Sequence, residues 1–132
     1  MDRRDFELPD ADRQFLDTYG LRWEAISDGS QWVLIHDLPL PDGYVQDKVT
    51  AAIRIEVGYP RSPLDMVYFR PAITRKDGRA VGATTVSQRI DGEVYQHWSR
   101  HRSRENPWNP AVDNLESHMI LVEDWLDREF ES

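Results

Sequence analysis

The sequence predicts an α+β domain. Three features carry that expectation: a short helical stretch near the start, a series of strand-like segments punctuated by turn residues, and an amphipathic stripe near the end. With 132 residues, 39% hydrophobic and 30% charged, the chain suits one domain over residues 1–132 built on one core.

Between Asp10 and Tyr19, Phe15 and Leu16 sit among charges; Asp10 or Asp12 is available as a cap, and Gly20 stands where a helix stops. Leu21–Ser27 reads as a strand, Asp28-Gly29-Ser30 as a turn, and Trp32–Leu38 as a second strand apolar on both faces. The clearest alternation runs from Val49 to Val57: Val49, Ala51, Ile53, Ile55 and Val57 point one way, Thr50, Arg54 and Glu56 the other. After Tyr59-Pro60-Arg61-Ser62-Pro63 the chain resumes as a fourth strand, Leu64–Phe69, which completes an antiparallel meander.

Pro71–Gly82 has little hydrophobicity and reads as a loop, whereas Ala83–Ile90 and Glu93–Arg100 flank Asp91-Gly92, a two-residue hairpin signal. In Trp108-Asn109-Pro110, Asn109 is placed to cap and Pro110 to occupy the first position of a long C-terminal helix. Leu115, Met119, Val122, Leu126 and Phe130 recur on it at spacings of three and four, so this stripe is expected to face the sheet.

Composition excludes several functions. No cysteine is present, which removes disulfides, thiolate metal sites and thiol nucleophiles together. A formal charge of −8 repels a phosphate backbone and favours a basic partner surface over nucleic acid. No stretch approaches the roughly 20 apolar residues of a membrane span, and the charged start, Met1–Asp5, has no apolar segment after it. The expected setting is therefore the cytoplasm, with no membrane partner.

The order of elements, the Tyr-Pro-x-x-Pro turn (Tyr59, Pro60, Pro63) and Trp108-Asn109-Pro110-Ala111 together resemble the ubiquitin-conjugating fold over Asp10 to Phe130. The family's His-Pro-Asn element is missing; Phe69-Arg70-Pro71 occupies its neighbourhood. The position equivalent to the family's cysteine lies between Thr84 and Arg104: one register puts Tyr95 there, through Gly92-Glu93-Val94-Tyr95, and another puts Thr84 or Thr85. By shape and by its missing cysteine the chain is similar to a bacterial branch, the prokaryotic ubiquitin-conjugating-like family E. That resemblance implies a ubiquitin-like protein, an activating enzyme or a metallopeptidase as partners. It does not imply transfer, because the defining nucleophile is absent.

Four residues, Tyr95, His97, Ser99 and His101, alternate onto one face of the predicted strand and are the candidates for a hydroxyl nucleophile with a base. A half-exposed polar strand face accounts for the same alternation. His97 and His101 also have His-x-x-x-His spacing, but in a strand they stand about 13 Å apart, so no metal and no other cofactor is expected. His36, on the face of Trp32 and Leu34, and His118, near the helical stripe, read first as satisfied histidines. Trp98, Arg100, Arg102, Arg104 and Trp108 border the irregular segment and are the candidate partner contacts, whereas Trp23 and Trp32 belong to the core.

Overall fold

The computed structural model describes residues 2–84 and 86–131. Helix α1 (Asp10–Tyr19) leads into β1 (Trp23–Asp28), β2 (Ser30–Pro39), β3 (Lys48–Ile55), β4 (Val67–Arg70), β5 (Val86–Ile90) and β6 (Glu93–Trp98). Helix α2 (Leu115–Arg128) follows and runs into a 3-10 turn, Glu129–Glu131. The strands form one six-stranded antiparallel sheet in the order β1-β2-β3-β4-β6-β5. The meander is thus present, and the hairpin extends the same sheet by pairing β6 with β4, Val67 opposite Trp98 and Tyr68 opposite His97. Asp91 (φ 51°) and Gly92 (φ 82°) are both left-handed, as a type I′ hairpin turn requires.

Both faces of the sheet are buried. On one, Leu115, Met119, Val122 and Leu126 of α2 and Leu16 of α1 pack against Val33, Ile35, Ala51 and Ile53. Each fully buried aliphatic side chain there contributes about 1.5 to 3 kcal/mol. Phe130 continues the stripe from the final turn and meets Tyr44, ring centroids 4.8 Å apart. The opposite face holds a smaller cluster, Ile26, Trp32, Leu34, Ala52, Tyr68, Ile90 and Tyr95, to which no helix contributes a residue. Curling of the sheet covers it. The Asp91 backbone N–H donates to Asp28 Oδ2 at 2.6 Å, and Arg3 reaches Asp91 at 2.8 Å, so the β1–β2 and β5–β6 turns come together. This two-sided burial is why β2 is apolar on both faces.

Several boundaries differ from expectation. Val57 lies beyond the end of β3 and is 96% exposed, because pairing with β2 stops at Ile55, opposite Gln31, and the chain turns there. β4 begins at Val67 instead of Leu64, β5 at Val86 instead of Ala83, and β6 ends at Trp98 instead of Arg100. Neither Asp10 nor Asp12 caps α1: Pro9 precedes it without a side-chain bond. The C-terminal helix starts at Leu115, not at Pro110. Asn109 instead closes a separate turn, its N–H donating to Asp113 Oδ2 (2.8 Å) while its own Oδ1 accepts from Ala111 (3.0 Å). The capping box is formed by Asn114 and Ser117, each side chain accepting the other's backbone N–H at 3.0 Å. Among the described residues no helix is long and apolar enough to cross a membrane.

Candidate functional site

The two motifs behind the resemblance touch each other. Trp108 Nε1–H donates to the Pro60 carbonyl at 2.9 Å, and its ring lies 6.3 Å from that of Tyr59. Tyr59 donates its hydroxyl proton to Asp12 Oδ2 at 2.7 Å, and Asp12 Oδ1 accepts the Leu115 N–H at 3.1 Å. One buried carboxylate therefore joins α1, the proline turn and the first turn of α2. Burial, reinforced by Asp12, pushes the Tyr59 phenol well above its usual range, so it stays a donor. Around this seam Arg102 stacks over Trp108 at 5.5 Å, donates to the Asn106 backbone and side-chain oxygens, and lies 3.3 Å from the Asp113 carboxylate. The connecting stretch after β6 is thereby folded on itself around Trp108.

A polar group sits where β6 ends. His97 stacks on Tyr68, ring centroids 4.6 Å apart. Its Nε2 lies 3.0 Å from the Met66 sulfur and 3.4 Å from Ser99 Oγ. His101 Nδ1 is 2.8 Å from Asp65 Oδ2, and Asp65 Oδ1 accepts the N–H of Met66, which holds a φ of 60°. His97, Ser99 and His101 are thus gathered around Asp65-Met66. Tyr95 is not among them: it packs in the second cluster, 4% exposed, and burial raises its phenol pKa. Burial lowers the His97 pKa below 6.5, helped by the charge of His101 and opposed by Asp65, so the imidazole is neutral at pH 7. A neutral ring beside a hydroxyl is the start of a nucleophile–base pair, but 3.4 Å is a long contact and the nearer neighbour is a thioether.

The remaining histidines are held structurally. His118, with no exposed surface, donates from Nε2 to the Met66 carbonyl at 2.9 Å and meets Trp125 edge-on; burial lowers its pKa. His36 Nε2 lies 2.7 Å from Glu24 Oε1, with Nδ1 3.2 Å from Thr50 Oγ1, across β1, β2 and β3. Among the described residues no group of three or more histidines and carboxylates is placed to hold a metal ion.

Of the expected partner contacts, Trp98 has no exposed surface and so offers nothing to a partner in the folded chain. Arg100 donates to Glu129 Oε2 at 2.7 Å, and the same carboxylate accepts the Gly82 N–H through Oε1 at 3.0 Å. Arg75 adds a bond to the Glu129 carbonyl at 2.9 Å. Arg100 and Arg102 are therefore engaged internally, whereas Arg104 is exposed and Trp108 half-buried. Of the positions offered for the family's cysteine, Thr84 donates its hydroxyl to the Val81 carbonyl at 2.7 Å, Tyr95 is buried, and Thr85 lies outside the described residues. The sequence offered Asp12 only as a helix cap, and it drew no attention to Met66 or Glu129. Asp12 and Glu129 carried a signal: Asp12 stands four residues before Leu16 on the core-facing side of α1, and Glu129 three after Leu126, in the 3-10 turn that continues α2.

An N-terminal helix, a curled antiparallel meander extended by a hairpin, and a closing helix whose approach is sealed onto a Tyr-Pro turn define an α+β domain of the ubiquitin-conjugating type. The chain belongs to the prokaryotic E2 family E, whose family model matches residues 8–129. Comparison with curated proteins and with solved structures found no match.

Proposed function

We propose that this E2-like protein is a non-catalytic scaffold in a bacterial ubiquitin-like modification system, holding a ubiquitin-like protein or its activating enzyme. The observation that carries the reading is the absence of cysteine from a chain matched to an E2 family over residues 8–129. Thioester transfer needs a sulfur whose leaving-group ability keeps the acyl carrier reactive, and hydroxyl esters are poorer carriers. Burial of Tyr95 and the internal bond of Thr84 support the same reading. The contact face is the seam bearing Arg104 and Trp108, and its setting is the cytoplasm, with neither nucleic acid nor membrane as partner. Titration calorimetry with the ubiquitin-like protein and with the activating enzyme is expected to show binding that survives His97→Ala and His101→Ala. No measurable heat with either would overturn the proposal.

A second reading, an enzyme of the same fold using a hydroxyl nucleophile, is favoured by one observation, the 3.4 Å approach of Ser99 Oγ to His97 Nε2. In it Ser99 Oγ attacks the carbonyl carbon of a thioester carried by the activating enzyme, His97 takes the hydroxyl proton, the C–S bond breaks, the departing thiolate receives that proton, and an ester forms on Ser99. Incubation with activating enzyme, ATP and the ubiquitin-like protein would then give a hydroxylamine-sensitive adduct in the intact mass, lost in Ser99→Ala. No adduct leaves the scaffold reading standing.

A further inference from the structure

We infer that the outer edge of β5 is a docking site for an extended, acid-bearing peptide segment, which adds to the sheet as a further strand. The inference rests on the scaffold reading above and names one way in which such a scaffold grips its partner.

The two edges of the sheet are treated differently. Along β1, the chain's own start covers the edge: Asp5 N–H donates to the Ala25 carbonyl at 2.7 Å, and the Ala25 N–H donates to the Arg3 carbonyl at 2.9 Å. Nothing equivalent lies along β5 among the described residues. Natural edge strands are usually blunted by shortness, charged side chains, lysine above all, proline, a bulge or a covering segment, and of these β5 has a length of 5 residues and the single charge of Arg89. Val86-Ser87-Gln88-Arg89-Ile90 has no lysine or proline and pairs with β6 in unbroken register.

The hairpin turn fixes which backbone groups are free. In a two-residue turn the closing pair, Ile90 and Glu93, exchanges backbone hydrogen bonds, and the alternation of an antiparallel ladder then assigns Gln88–Tyr95 and Val86–His97 to the bonded pairs. Ser87 and Arg89 consequently turn their N–H and C=O groups outward. Among the described residues no backbone group from another segment meets them. The Arg89 carbonyl is covered only by the Gln88 side-chain amide at 3.0 Å, a contact that an incoming strand displaces.

The chemistry of the occupant follows from the side chains beside this edge. Arg89 donates to the Gly92 carbonyl at 3.2 Å and, among the described residues, has no carboxylate at salt-bridge distance, whereas neighbouring Arg70 is paired with Glu93 at 3.0 Å. In a chain of net charge −8 such an arginine selects an acidic residue opposite it. Next to Ser87 a shallow cavity of about 270 Å³, lined in part by Ala72, Thr84, Val86 and Val94, receives an apolar side chain two positions along the same face. Val94, opposite Arg89 on that face and 55% exposed, is the surface it would cover. Main-chain bonds supply the grip, and the acid–apolar spacing supplies the selectivity.

The test uses the full chain and a fluorescein-labelled heptapeptide, Ser-Glu-Thr-Val-Thr-Glu-Ser, whose two glutamates and valine share one face. Anisotropy is expected to report saturable binding that weakens at least tenfold when the peptide backbone is N-methylated on its pairing side. A similar loss is expected in Ser87→Pro, which removes one outward N–H without touching the bonds to β6. Arg89→Glu should weaken binding most at low salt. Circular dichroism checks that each variant folds, and the N-methylated peptide needs no variant at all. Absence of binding up to millimolar peptide, or binding indifferent to N-methylation, overturns the docking site. If the ubiquitin-like protein or activating enzyme still binds the wild-type chain in calorimetry, the scaffold reading survives that failure.

Discussion

His118 is a buried residue whose ionisation opposes folding. Its ring is fully buried and its pKa is held below 6.5 by that burial, against the pull of the Met66 carbonyl. As pH falls through about 6.5 the unfolded chain takes up a proton that the folded chain refuses, so stability is lost on acidification from neutral pH. The urea midpoint should fall between pH 7 and pH 5, with a shallower slope in His118→Gln; an unchanged slope would place the effect elsewhere, His97 being the next group with a depressed pKa. Asp12 acts as a buried acceptor shared by two donors. Asp12→Ala leaves the Tyr59 hydroxyl and the Leu115 N–H without their acceptor and should cost roughly 2 to 4 kcal/mol in urea denaturation. The sequence showed His97, Ser99 and His101 as a series but could not show Asp65-Met66, which gathers them from a loop more than thirty residues away. It also could not show that Trp98 is buried, because β6 sits inside the sheet and not at its edge.

Elements were more legible than their ends. Alternation located β3 and the helical spacing located α2, because burial of one face dictates the identity of every second or every third and fourth residue. Boundaries depend instead on which side chain wins a backbone group, and there Asn114 and Ser117 prevailed over Asn109 and Pro110. The segment between β4 and β5 looked like a polar loop, yet Ile73, Arg75 and Val81 are buried in it; Arg75 and Gly82 are bonded to Glu129, a residue too distant in sequence to be read locally. Leu126→Asp should abolish the cooperative transition and most of the circular dichroism signal, since it places a charge among fully buried neighbours on the α2 stripe. Glu129→Ala should leave that transition cooperative while the Gly82 amide loses hydrogen-exchange protection, because its acceptor is gone.

At the scale of the molecule, curling of the sheet lets one short chain bury two clusters, one under the helices and one within the curl. Opposed turns are fastened by Asp28, Asp91 and Arg3, which leaves β5 as the uncovered edge among the described residues. The Asp12 link has a consequence for how the chain is made. Leu115 finds its acceptor on the first helix, so the opening turn of the last helix has this N–H satisfied within the protein only once the two helices have docked. During vectorial synthesis the meander must therefore wait, with its helix-facing surface bare, until Leu126 clears the exit tunnel. A nascent chain stalled before that point should be a chaperone client, and one released after it should not.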